Sequence, residues 1–229
     1  MNKLRKKNLD LLKKSGVYHE SMEHDACGVG LVASTDGKKS RKVVEYGIQA
    51  LKAVWHRGAI DADGKTGDGA GIHIEIPSDF FIEKIEATGH KHDDSEVCVG
   101  MLFLPRNNYS AQEECRSIVE SELTKSNFNI YGWRQVPVDP SVLGETAESN
   151  RPEITQVLFK HNTKEEKGKK LEIKLYEARR KIEKKILEAN LNDFYICSFS
   201  SKSIIYKGMF LAEALSCLLY TSDAADDWS

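Results

Sequence analysis

Asp25-Ala26-Cys27-Gly28-Val29-Gly30-Leu31-Val32-Ala33-Ser34 is where this 229-residue chain changes character. Upstream, residues 1–26 carry six basic and four acidic side chains and no alternating apolar pattern, so they read as a leader that adds little to a core. From Cys27 the texture is that of a short apolar strand, stopped by the polar turn Thr35-Asp36-Gly37. Working outward, Val43, Val44, Ile48, Leu51, Ala53, Val54 and Trp55 recur at helical spacing and predict an amphipathic helix over 40–56. Gly58 to Gly71 is a glycine-rich loop, and Ile72 to Ile76 alternates as a strand until Pro77 stops it. Val97 to Leu104 is a buried strand closed by Pro105. A helix is expected over 111–123 and a strand over 127–138. The clearest helix runs over 164–188, with Leu171, Leu175, Ala178, Ile182 and Ile186 on one face. The stretches 194–200 and 203–206 close the pattern as an expected hairpin. Strands in clusters separated by helices, without strict alternation, predict an α+β layered domain rather than a doubly wound parallel sheet.

Composition narrows the function classes. At roughly 150 residues per domain the chain is one large domain, or one domain with appendages, and long enough to bury a core. Lys+Arg 33 against Asp+Glu 35 leaves a net charge of −2, so no global basic field points to nucleic acid or an anionic membrane. Hydrophobic content of 40% with 30% charged residues describes a globular chain rather than a disordered one. The longest apolar run, Val97–Leu104, is strand-sized and far short of the ~20 residues of a membrane span. No secretory signal is visible, because Asp10 and Lys13-Lys14 interrupt the only apolar cluster near the start. Five cysteines, Cys27, Cys98, Cys115, Cys197 and Cys217, are scattered without a CxxC pair. A disulfide scaffold and a zinc ribbon are both disfavoured, and a reducing cytoplasmic location is expected.

Several motif-like stretches fail on physical grounds. Gly28-Val29-Gly30-Leu31-Val32-Ala33 fits the dinucleotide pattern in letters, yet polar residues precede it and a turn follows where a helix N-terminus should meet phosphate. Gly58 to Thr66 misses the phosphate-loop spacing by one residue, and Asp61 and Asp63 would repel phosphate. Read as a calcium loop, Asp61-Ala62-Asp63-Gly64 lacks the glycine at position six and the bidentate glutamate at position twelve, where Thr66 and Ile72 stand. His90 and His92 beside Asp93 and Asp94 read as a solvated loop, and the basic surplus of 164–188 as a solvated helix face. No metal ligands are assigned. Cys98, Cys115 and Cys197 read as small buried hydrophobes. Cys27 differs: it begins a strand directly after a polar leader and is followed by glycine, which permits close approach of substrate or backbone.

At Asp25-Ala26-Cys27-Gly28-Val29-Gly30 the chain resembles the class II, N-terminal-nucleophile glutamine amidotransferases, in the form of the glutaminase domain of glutamate synthase large chains. Further matches follow in order: Trp55-His56-Arg57-Gly58-Ala59, Thr66-Gly67-Asp68-Gly69-Ala70-Gly71-Ile72 and Ile205-Tyr206-Lys207-Gly208-Met209. The resemblance covers roughly residues 20–215. It implies a four-layer α-β-β-α sandwich of the Ntn-hydrolase type, with 1–26 a propeptide removed between Ala26 and Cys27 and 27–215 a partial amidotransferase domain. Residues 216–229 read as a non-native tail resembling a translated sequencing adapter, so the sandwich is expected to be incomplete at its C-terminus.

The same resemblance implies a mechanism. Cys27 would be the nucleophile and L-glutamine the substrate. A free cysteine near pKa 8.5 is only a few per cent thiolate at neutrality, whereas an α-amino group of pKa ~7.7–8.0 on the same residue accepts its proton once Ala26 is cleaved away. Arg57 is implied to position the nucleophile, with a structural ion pair as the alternative. Gly67, Asp68 and Gly69 are implied to shape the substrate pocket. The family's oxyanion-hole Asn-Gly and its carboxylate-binding arginine are expected downstream of Gly208 and are not matched here, so the 229-residue piece alone is expected to be inactive. The resemblance implies no cofactor in this segment, FMN and an iron–sulfur cluster in the synthase domains of the same chain, and a small reductase subunit as a partner. Two other readings stay open: the glutaminase half of another class II amidotransferase, and a non-catalytic binding domain.

Overall fold

The computed structural model describes residues 11, 13–15, 28–54 and 58–215. Ala26, Cys27, Trp55, His56, Arg57, the leader apart from residues 11 and 13–15, and the stretch 216–229 lie outside the described residues. The first named helix, α1 (Arg41–Ala53), follows an extended Ser40 and lies within the expected span. Strand β1 (Ala70–Glu75) alternates as its sequence requires, with Ala70, Ile72 and Ile74 partly buried and Gly71, His73 and Glu75 exposed. Pro77 then sits at the N-cap of α2 (Ser78–Ala87), which buries Phe80, Phe81 and Ile85.

The central sheet is antiparallel. Strand β2 (Cys98–Leu104) is buried along almost its whole length, as its unbroken apolar run demands of a central strand. Helix α3 (Tyr109–Lys125) is capped by the Asn108 side chain, which accepts from the Ala111 N–H. Strand β3 (Phe128–Gln135), the short helix α4 (Glu145–Ser149), strand β4 (Glu153–His161) and the long helix α5 (Gly168–Glu188) follow. Strands β5 (Tyr195–Ser200) and β6 (Ser203–Gly208) complete the order. One sheet runs β3-β4-β2-β5 and the other is the pair β1-β6.

Two cores separate the layers. On one face of the four-stranded sheet, Leu171, Leu175, Ala178, Ile182 and Ile186 of α5 and Cys115, Val119 and Leu123 of α3 pack against Leu102, Val157 and Phe159. Each fully buried aliphatic side chain there contributes about 1.5–3 kcal/mol. On the other face, Val99, Met101, Leu158 and Cys197 share a core with Ile204 and Tyr206 of β6 and with α2. Helix α1 packs on β1, where a Cβ on Gly47 would lie 3.4 Å from the Ile72 side chain. The layer order is therefore α-β-β-α, the four-layer arrangement of an Ntn-hydrolase-type domain.

Three sequence expectations need correction. The expected hairpin does not form: β5 pairs with β2, whereas β6 pairs with β1 in the other sheet. The chain leaves the sheet plane at Ser200–Lys202 because that turn is held sideways. Glu172 on α5 accepts from the Ser201 N–H at 2.8 Å and the Ser200 hydroxyl at 3.0 Å. The Ser200 hydroxyl itself accepts from the N–H of Lys202 and Ser203. The expected strand after Cys27 is likewise not formed over its described part: Gly28–Ser34 has no ladder partner, and Val29 and Leu31 are 90% and 92% exposed. The polar stop behind it is real, since Asp36 accepts from the Lys38 N–H and the Ser34 hydroxyl. Finally, α2, α4 and β4 form in stretches where the sequence pattern predicts no element. In β4 the buried polar pair Thr155-Gln156 masks the apolar run beside it; Gln156 is satisfied by Arg134 at 3.0 Å.

Candidate active site

The loop between α1 and β1 is built by its own polar residues. The Asp61 N–H donates to the Thr66 carbonyl (2.9 Å), the Asp68 N–H to the Ala59 carbonyl (3.3 Å), and Ile60 bridges Gly67. The tip turns at Gly64, whose φ of +69° suits glycine. Asp63 locks this tip: its carboxylate accepts from the N–H of Lys65 and Thr66 and from the Thr66 hydroxyl at 2.5 Å. These bonds, the Thr66 hydroxyl first, hold the Asp63 carboxyl down to about 2.

Thr66 is buried and delivers the chain into Gly67-Asp68-Gly69. Gly67 lies so close to the 210–211 backbone that a Cβ would stand 2.7 Å from the Phe210 carbonyl oxygen. Gly69 has φ +132°, a conformation that L side chains rarely adopt. Asp68 is exposed.

Gly67, Asp68 and Gly69 are brought together in one cleft of ≈ 380 Å³, closed on another side by Phe210 to Glu213. Gly28 and Gly58 line the same cleft, and these are the chain neighbours of Cys27 and Arg57. An adjoining hollow of ≈ 560 Å³ runs from Gly28 and Asp68 to His73, Lys207 and Met209. The Ile205-Tyr206-Lys207-Gly208-Met209 stretch thus reaches the same region from β6, with Tyr206 turned into the core and its hydroxyl pushed up to about 12 by burial.

A larger concavity, ≈ 710 Å³, lies beside Arg106, Arg151 and Tyr195 and meets the site region at Lys207 to Phe210. Its two arginines are both engaged by Glu148, at 2.6 and 2.8 Å. Lys207 donates to the Tyr195 hydroxyl at 2.9 Å. Size does not select the site here, because none of Gly28, Gly58 or Gly67–Gly69 lines this larger hollow.

The remaining titratable clusters have structural partners. Asp93 pairs with Lys160 at 2.6 Å, a contact that, with the Ser95 hydroxyl, holds its carboxyl well below the usual range. His92 Nε2 lies 2.9 Å from the Ser95 carbonyl, and His90 sits edge-on to Tyr131. Among the described residues no group of three or more His, Cys, Asp or Glu is arranged to hold a metal ion. Cys98, Cys115 and Cys197 are buried, and burial raises all three thiols, so they are the small hydrophobes their sequence context suggested. Among the described residues no helix is long and apolar enough to cross a membrane.

The sequence model of the class-II glutamine amidotransferases matches residues 27–227. The glutamate synthase (NADPH) large chain of Azospirillum brasilense is 53% identical over 209 residues, 91% of this chain and 14% of that one. The ferredoxin-dependent glutamate synthase of Cyanidium caldarium is 41% identical over 197 residues, 84% of this chain and 12% of its own. The chloroplastic ferredoxin-dependent glutamate synthase 2 of Arabidopsis thaliana is 36% identical over 220 residues, 94% of this chain and 13% of its own. The chain thus spans about one seventh of the length of the curated relatives it matches. With the family match starting at Cys27 and the glycine loop and its cleft in place, the chain belongs to the class-II glutamine amidotransferases.

Proposed function

We propose that this domain hydrolyses L-glutamine and that it does so as the ammonia-supplying part of a glutamate synthase. The observation that carries the reading is the ≈ 380 Å³ cleft in which Gly28 and Gly58 meet Gly67, Asp68 and Gly69, because the nucleophile candidate Cys27 and the positioning candidate Arg57 adjoin two of its lining residues in the chain. The family match beginning at Cys27 supports cleavage after Ala26. Cleavage converts an amide nitrogen, which has no basicity, into an amine able to take the thiol proton. The thiolate then attacks the side-chain amide carbon of glutamine. The C–N bond breaks, ammonia leaves with that proton, and water hydrolyses the glutamyl thioester to glutamate and free thiol. Arg57 serves as the positioning cation, and the Gly67–Gly69 wall shapes the pocket for the substrate side chain.

In this proposal the ammonia goes to 2-oxoglutarate, as the similarity to glutamate synthases suggests. FMN and an iron–sulfur cluster, held in other segments of the same chain, would supply the electrons for that reductive step. A small reductase subunit is a partner in the same reading, and the enzyme is placed in the cytoplasm.

The test is Cys27→Ala in the full-length enzyme. Glutamine-dependent glutamate formation should vanish while ammonia-dependent formation persists. Equal loss of both activities would make Cys27 structural and overturn the assignment.

A further inference from the structure

Asp61-Ala62-Asp63-Gly64, which fits neither a phosphate cradle nor a calcium loop, has a role in the fold. The Asp63 carboxylate accepts three hydrogen bonds from Lys65 and Thr66, at 2.9, 2.7 and 2.5 Å. The Thr66 hydroxyl, 3% exposed at the residue level, in turn accepts from the N–H of Ala147 at 3.3 Å. Gly144 makes this meeting possible: a Cβ there would fall 2.1 Å from Asp63 Oδ2 and 2.3 Å from Thr66 Oγ1. One carboxylate and one hydroxyl therefore fasten the loop tip to a segment some eighty positions away. The next three residues after Thr66 are the wall of the cleft.

We infer that Asp63 is a positioning residue of this cleft, acting through Thr66, which is fastened to the 144–147 segment, to set the course of Gly67–Gly69. The inference rests on the reading of the cleft as the glutaminase site. Asp63 does not line the cleft and is exposed outside both cores, so its removal acts locally and not through global stability. The chemistry also separates two substitutions. Asparagine keeps one oxygen for the two backbone N–H groups, and its amide can donate to the Thr66 oxygen. Alanine loses all three bonds.

The test uses Asp63→Ala, Asp63→Asn, Thr66→Val and Thr66→Ser in the full-length enzyme, with glutamine kinetics, thermal unfolding and hydrogen exchange measured together. Asp63→Ala and Thr66→Val should lower kcat/KM for glutamine by on the order of 10- to 100-fold, mainly through KM, as expected when a substrate wall moves by a fraction of an ångström or more. Asp63→Asn and Thr66→Ser should restore most of it. Exchange in peptides covering 64–71 and 144–149 should quicken about fivefold or more in Asp63→Ala, with α5 unchanged. An Asp63→Ala enzyme with wild-type KM, or exchange that is unchanged in 64–71 or accelerated equally in α5, overturns the inference. A wild-type enzyme that releases no ammonia from glutamine refutes the glutaminase reading instead, and the exchange measurement then decides the Asp63 link alone.

Discussion

Adding a single methyl group at Gly67 probes how tightly the pocket wall is held. The new Cβ would lie 2.7 Å from the Phe210 carbonyl oxygen, 2.9 Å from its carbon and 3.2 Å from the Leu211 nitrogen, against 3.4 Å for ordinary contact. All three are backbone atoms, so no flexible side chain can swing aside; the loop and the 210–211 segment must part by about 0.7 Å, the difference between 2.7 and 3.4 Å. Overpacking of this kind costs about 1–3 kcal/mol. In a domain of this size each kcal/mol moves Tm by roughly 2–4 °C, so Gly67→Ala should unfold roughly 2–12 °C below wild type. Phe210 and Leu211 also line the cleft, so the same displacement reaches the substrate side. Misplacement approaching 1 Å costs up to about 10² in rate, and kcat/KM for glutamine should fall by roughly 10- to 100-fold. Thermal unfolding and glutamine hydrolysis measured on one preparation of the full-length enzyme give both numbers. A Gly67→Ala enzyme with wild-type Tm and kcat/KM within twofold of wild type would refute the close approach from which the effect is derived.

Leu175→Ala should destabilise the domain by about 2–5 kcal/mol, because Leu175 is fully buried between α5 and the four-stranded sheet; chemical denaturation reads this directly, and a cost under 1 kcal/mol would contradict the packing. Lys160→Met should show a pH-dependent loss. Asp93 is depressed in the folded state, chiefly by Lys160, so its contribution is present above the ordinary carboxylate pKa and fades as pH falls below about 4; Lys160 is raised, so its own contribution fades only above about pH 10. With Asp93 about a third exposed, the gap between wild type and variant should be about 0.2–1 kcal/mol at pH 7 and should close in acid; a gap that widens below pH 4 would reverse the assigned sign.

The sequence disclosed the elements whose burial is one-sided and long. The five inward residues of α5 could be named one by one because a long amphipathic helix repeats its signal over several turns. Strand β2 was equally plain, since a central strand is apolar on both faces. What stayed hidden depends on contacts distant in sequence. Strands β5 and β6 look like a hairpin locally, and only Glu172, donated by a helix, turns them into a passage between sheets. The segment Gly28–Ser34 has strand composition, yet pairing is a property of a neighbour, and none is laddered to it among the described residues. Helix α2 left a usable signal, a proline at the N-cap with Asp79 in the first turn and Lys84 in the last, which its paired phenylalanines obscured. At the site, the composition of 58–71 shows a glycine-rich loop, and only the family resemblance makes Gly67, Asp68 and Gly69 pocket residues. The link from Asp63 through Thr66 to Gly144 and Ala147 was not legible, because its members carry no periodicity and no shared motif.

The central claim is that Cys27, freed at its α-amino group, attacks glutamine. The most direct measurement is mass spectrometry of the full-length enzyme quenched in acid during turnover with glutamine. The account predicts a mature chain beginning at Cys27, with a glutamyl thioester on the peptide that starts there. An active enzyme in which Cys27 is still joined to Ala26, or in which the adduct sits on another residue, would contradict it.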